Sequence, residues 1–199
     1  MAVVNYGVGN LRSIKRGLEK SGAEVQITHN LKELRRSDAI VLPGVGAFAP
    51  AVRNLVPITD VLKEAMEDGK PILGVCLGLQ LLFTRSNEGG SIQGLDFISG
   101  DIIKLPENVK IPQMGWNTID IVQSHPLLEG VKDNSYVYFV HSYYPQPSDA
   151  EVILATTEYG VRFPSMVAKQ NLFATQFHPE KSSKTGLIIL KNFVRIVKR

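Results

Sequence analysis

Pro71-Ile72-Leu73-Gly74-Val75-Cys76-Leu77-Gly78-Leu79-Gln80-Leu81-Leu82 is the stretch whose reading decides the fold. Its first part, Pro71–Val75, is a short and continuous apolar run, as expected of a strand buried on both faces. Leu77 to Thr84 then reads as a helix. Between them stands Gly74-Val75-Cys76-Leu77-Gly78, a G-x-C-x-G in a strand-to-helix turn. This is the thiol version of the G-x-S-x-G nucleophile elbow, whose glycines permit a tight turn that lifts the nucleophile clear of the sheet. A thiol placed there meets unpaired N–H groups and the positive end of the helix dipole, which favour thiolate. The backbone N–H of Leu77 would point to where an oxyanion forms. The bland alternative is a small buried hydrophobe.

Outward from this turn, strands alternate with helix-period segments. Met1–Val4, Glu24–Thr28 and Ala39–Leu42 read as strands. Asn10 to Ser21 places Leu11, Ile14 and Leu18 on one helical face before Gly22, and Ile58 to Asp68 is helical up to Gly69. Such alternation argues for a mostly parallel sheet covered by helices on both sides, an α/β core. The second half has another texture. Ile102–Leu105, Thr118–Val122, Tyr136–Val140, Val152–Thr157, Ser165–Lys169 and Leu172–Gln176 are strand candidates, the last two forming a hairpin through Gln170-Asn171. These make an added antiparallel section, and a last helix spans about Thr185 to Lys198. With no repeat and no long linker, residues 1–199 read as one domain.

Composition bounds the rest. The chain has 199 residues, 44% of them hydrophobic, enough to bury a core without staples. The net charge of +3 is too small to indicate nucleic-acid or membrane binding. A single cysteine excludes an internal disulfide and suits a reducing compartment. Met1–Asn5 reads as a strand rather than a signal peptide, and no stretch has the length of a membrane span, so a cytoplasmic protein is expected. Gly7-Val8-Gly9 hints at a dinucleotide fingerprint, but Arg12 holds the third glycine position. No metal-ligand spacing is present, and neither metal nor cofactor is expected.

A cysteine nucleophile needs a base. Of the four histidines, His29 reads as a surface residue, His125 as a turn residue before Pro126, and His141 as the end of a strand. His178 stands in Gln176-Phe177-His178-Pro179-Glu180-Lys181. Pro179 stiffens that loop, and Glu180 can fix the imidazole's tautomer and stabilise its charged form. A surface ion pair is the bland reading of His178 and Glu180.

The cysteine elbow followed far downstream by His-Pro-Glu resembles the class I, triad-type glutamine amidotransferases, which implies their flavodoxin-like fold. Further segments resemble the glutaminase subunits of imidazole glycerol phosphate synthase. They are Asn5 to Leu11, Pro43-Gly44-Val45-Gly46, Cys76 to Phe83, Met114-Gly115-Trp116-Asn117, Tyr138 to Tyr143 and Gln176 to Ser182. The resemblance covers essentially the whole chain, in order. It implies glutamine hydrolysis through a thioester on Cys76, with His178 as acid and base and Glu180 as its orienter. It implies a second oxyanion donor at Val45 beside Leu77. Gln80 and the backbone at Ser142 and Tyr143 would hold glutamine, with Gly44 and Gly46 lining the same site. It further implies a heterodimer with a (β/α)8-barrel cyclase that consumes the ammonia for histidine synthesis, docked near Asn10, Trp116, Tyr138 and Lys181. A glutaminase serving another synthase, such as that for pyridoxal phosphate, or a non-catalytic module of this fold are the alternatives.

Overall fold

The computed structural model describes residues 1–198. Its first half builds β1 (Ala2–Val4), α1 (Leu11–Lys20), β2 (Gln26–Thr28), α2 (Leu31–Arg36), β3 (Ile40–Gly44), α3 (Phe48–Leu55), α4 (Thr59–Glu67), β4 (Ile72–Cys76) and α5 (Leu77–Leu81). The chain continues through β5 (Phe83–Ser86), β6 (Ile92–Gln93), β7 (Ile98–Lys104), β8 (Gln113–Ile121), β9 (Ser135–His141) and β10 (Tyr143–Pro147). It closes with β11 (Ile153–Glu158), β12 (Arg162–Lys169), β13 (Leu172–Thr175) and α6 (Ser183–Val197).

One sheet of nine strands runs in the order β2-β1-β3-β4-β13-β12-β11-β8-β9. Its β2, β1, β3, β4 and β13 are parallel, and β12, β11, β8 and β9 are added antiparallel. A second sheet, β10-β7-β5-β6, sits beside it. Alternation along the central strands explains why both faces are covered. Ile40, Leu42 and Ile72 join Leu34, Phe48, Leu55, Leu62 and Leu79 in one core. Val41, Leu73 and Val75 join Ile14, Leu18, Leu190 and Phe193 in the other. Each fully buried side chain of this size contributes about 1.5–3 kcal/mol.

The mostly parallel core, the antiparallel addition and the β12–β13 hairpin follow the sequence reading. Gln170 takes the left-handed conformation, φ 54°, at the tip of that hairpin. Three features differ. The helix expected over Leu77–Thr84 stops at Leu81, and Phe83 instead pairs with Ile98 in the second sheet. An unbroken apolar run has no period that separates a buried helix from a buried strand. The short helices α2 and α3 span too few turns for an apolar period to show in the sequence; α2 is started by the Asn30 side chain, which accepts from Lys32 and Glu33 N–H. β10 lies in the second sheet only because it pairs with β7, a partner about forty residues upstream.

Candidate active site

Parallel register brings the site together. Gly44 at the end of β3 pairs with Cys76 at the end of β4, and Thr175 at the end of β13 pairs with Val75. The loops carrying Val45, Cys76 and His178 therefore leave adjacent carboxyl ends of adjacent strands, where open α/β sheets place their ligands.

Cys76 has φ 55° and ψ −108°. A non-glycine residue is held in this sparsely populated region only when its surroundings over-determine it. They do so here through glycine. A Cβ on Gly74 would lie 2.8 Å from the Gly78 carbonyl oxygen, and one on Gly44 would lie 2.8 Å from Leu77 Cβ. The thiol is 5% exposed. Its Sγ donates to the Val140 carbonyl at 3.4 Å and receives the Gln176 Nε2–H at 3.8 Å.

His178 is 2% exposed, and its main chain is clamped to β9. Its N–H donates to the Tyr138 carbonyl at 2.9 Å, and its own carbonyl accepts from Ser182 Oγ at 2.6 Å. Nδ1 lies 2.9 Å from Glu180 Oε1, both side chains being 3% exposed. With Nδ1–H committed to the carboxylate, Nε2 is the ring nitrogen left for chemistry. It is buried and closes no hydrogen bond of its own in this structure. Burial pushes the imidazole toward its neutral form, but Cys76 and then Glu180 outweigh this and raise it to about 10. The raised pKa favours the charged ring, the form that can give a proton.

The other histidines are elsewhere in state or place. His141 is buried and pushed down to about 4, chiefly by that burial. Its Nδ1–H donates to the Tyr143 carbonyl at 2.9 Å, and Nε2 lies 2.9 Å from the Gln113 side-chain amide. His125 accepts from the Leu127 N–H, and His29 is exposed.

Cys76 opens into a cavity of about 200 Å³ lined by Val45, Gly46, Leu77, Gln80, Glu88, Pro112, Val140, His141, Ser142 and Tyr143. That is below the roughly 300–1,000 Å³ of sites for drug-sized ligands and suits one amino acid. A larger groove of about 550 Å³ runs along Ile121 to Val131, but it is open and His125 and Glu129 are the titratable side chains on it. Among the described residues no group of three His, Cys, Asp or Glu could hold a metal ion.

Most expected residues converge here. Gly44 does not line the cavity: it is buried behind it, against Leu77 and the Tyr6 hydroxyl, which donates to the Pro43 carbonyl at 2.5 Å. Gln80 lines the cavity, but its Nε2 already serves the Tyr143 carbonyl at 2.9 Å and Gln176 Oε1 at 3.2 Å. Only its oxygen remains for a ligand. Trp116, Tyr138 and Lys181 gather outside. Trp116 packs edge-to-face on Tyr138 at 5.8 Å, and Lys181 Nζ stands 5.8 Å over the Tyr138 ring. Asn10 caps α1 by accepting from the Ser13 N–H at 3.3 Å.

Two residues escaped the sequence reading. Glu88 is the one acid facing the cavity among the described residues, fixed by the Phe48 N–H at 2.9 Å, and its only signal is an acid before Gly89-Gly90 in a turn. Gln176 sits at the sulfur, though nothing in its motif marks it apart from Phe177.

The model of the class-I glutamine amidotransferase family matches residues 2–197. The chain belongs to this family. Among its relatives, this amidotransferase is 50% identical to the imidazole glycerol phosphate synthase subunit HisH of Archaeoglobus fulgidus, covering 100% of both chains. It is 48% identical to the HisH subunit of Natronomonas pharaonis, covering 98% of this chain and 93% of the other. Solved structures share the fold. A glutamine amidotransferase crystal structure has TM-score 0.78 at 18% identity over 100% and 99% of the two chains. PurLQS from Thermotoga maritima has TM-score 0.79 at 18% identity over 98% and 97%. No helix among the described residues of this amidotransferase is long and apolar enough to cross a membrane.

Proposed function

We propose that this chain is the glutaminase subunit of an imidazole glycerol phosphate synthase, hydrolysing glutamine to glutamate and ammonia through a thioester on Cys76. The observation that carries the reading is the strained Cys76 elbow set against a buried His178–Glu180 pair.

Glutamine enters the small cavity with its ammonium toward Glu88 and its side-chain amide at Cys76. The thiolate attacks the amide carbon. Negative charge moves to the amide oxygen, where the N–H groups of Leu77 and Val45 receive it. Each such donor is worth about 3–4 kcal/mol in acyl transfer. Charged His178 then gives its Nε2 proton to the departing amine, and ammonia leaves. Now neutral, His178 takes a proton from water as the water oxygen bonds to the thioester carbon. The carbon–sulfur bond breaks, glutamate leaves and the thiolate is restored. Glu180 holds the ring's orientation through both half-reactions. Neutral, committed His141 takes no part in proton transfer; it holds the Tyr143 carbonyl beside the substrate.

The ammonia passes to a partner, a (β/α)8-barrel cyclase that uses it to form imidazole glycerol phosphate. Support for its docking face is the exposed apolar set Met114, Trp116 and Tyr136 on β8 and β9, at 65%, 52% and 63% exposure. The same β9 supplies the Tyr138 and Val140 carbonyls to His178 and Cys76. The test is glutamate release from glutamine by the chain alone and with the cyclase subunit of a HisH-type synthase. Glutamate release with no stimulation by, and no complex with, that subunit would assign the chain to another synthase. No release in either sample would refute the glutaminase reading.

A further inference from the structure

We infer that Gln176 is a further catalytic residue, the hydrogen-bond donor that stabilises the Cys76 sulfur whenever it carries negative charge. This rests on the reading that Cys76 is the nucleophile. The observation is a directed chain of buried amides. Gln176 is fully buried, at 0% exposure, on the segment between β13 and His178. Its main-chain N–H donates to the Ser165 carbonyl at 2.9 Å, which ties the residue to β12. Its side-chain Oε1 accepts from Gln80 Nε2 at 3.2 Å, and its Nε2 donates to Cys76 Sγ at 3.8 Å.

The direction of the amide is decided by its neighbour. Gln80 spends one N–H on the Tyr143 carbonyl, an obligate acceptor, and therefore offers its other N–H to Gln176. Gln176 must accept there with oxygen. Its NH2 is then left facing the sulfur, and no amide flip satisfies the same partners. A thiol alone would not need this. The thiol proton already has the Val140 carbonyl at 3.4 Å. That carbonyl repels the sulfur once the proton is gone, whereas the Gln176 N–H favours the charged state.

The sulfur is charged twice in the cycle: before attack, and when the thioester carbon–sulfur bond breaks and the electron pair returns to sulfur. In the second event water supplies the new carbon–oxygen bond, its proton goes to His178, and sulfur leaves as thiolate with the Gln176 N–H in place. A donor there makes sulfur a better leaving group. The residue therefore acts on the thiolate population and on thioester hydrolysis, not on glutamine affinity.

The experiment follows alkylation of the single cysteine by iodoacetamide across pH, with glutaminase kinetics beside it. Gln176→Met keeps the volume and removes the donor. Its alkylation midpoint should move to higher pH by about one unit, and kcat should fall about tenfold or more with KM within twofold, the size expected of a lost hydrogen bond to a charged group. Gln80→Met leaves the donor but frees its direction. It should move the alkylation midpoint the same way by a smaller amount, and it decides the matter if Gln176→Met does not fold. An unchanged midpoint in a folded Gln176→Met, or in Gln80→Met where the first variant is lost, overturns the inference. Cys76→Ser separates the two readings: if it still hydrolyses glutamine the nucleophile assignment itself fails, whatever Gln176 does.

Discussion

Replacing Gly78 by alanine tests how tightly the elbow is built. A Cβ at this position would sit 1.8 Å from the Leu42 carbonyl oxygen and 2.8 Å from its carbon. Carbon and oxygen tolerate an approach of about 3.3 Å, so roughly 1.5 Å of separation must be found. Leu42 cannot retreat cheaply, because β3 is hydrogen-bonded between β1 and β4. The helix α5 has to lift instead, and Cys76 is the residue that caps its start. Overpacking of this kind costs about 1–3 kcal/mol. For a chain near two hundred residues each kcal/mol lowers Tm by about 2–4 °C, so the variant should melt roughly 2–12 °C below the parent. The functional loss should be larger, since a 1 Å misplacement of a reacting group can cost about a hundredfold in rate. A thermal melt followed by circular dichroism and an assay of glutamate release measure both. A Gly78→Ala variant that melts within 1 °C of the parent and keeps its turnover would refute the claim that backbone contact with β3 positions the nucleophile.

Cys76→Ser should lose glutamine-dependent turnover at least a thousandfold, in line with removal of an activated nucleophile, while the complex still cyclises when ammonium salt replaces glutamine at alkaline pH. Glu180→Gln removes one of the two groups that raise His178 from 6.5 to about 10. The folded pKa being raised, that stabilisation is fully present below pH 6.5 and is lost as pH rises through 10. The variant should therefore be less stable than the parent by urea denaturation at pH 6.5, with the gap closing toward pH 10; a gap independent of pH would show that the pair is not the cause. Glu88→Gln should raise KM for glutamine about tenfold with kcat within threefold, as loss of uniform binding does; an unchanged KM would remove Glu88 from the substrate site.

The cysteine elbow, the His178–Glu180 pair and the mostly parallel core were legible in the sequence because each is a local pattern. An apolar run between glycines, a proline beside a histidine and an apolar period of about 3.6 residues are written over a few consecutive residues. Fold class and the candidate reacting groups followed from them. Tertiary structure alone decided the rest. Whether Phe83 continues a helix or joins a strand depends on Ile98, a residue that only folding brings beside it. Glu88, 40 residues from Phe48, becomes a cavity carboxylate because the Phe48 N–H fixes it there. Gln80 reads in sequence as a residue that holds substrate, yet both its N–H groups are taken by Tyr143 and Gln176, 63 and 96 residues away. Which histidine is charged is likewise a long-range fact. His141 and His178 are both buried, but only His178 has a carboxylate and a sulfur beside it. Burial and hydrogen-bond partners are properties of the assembled sheet, and a one-dimensional pattern carries residue types without the surroundings that set their protonation.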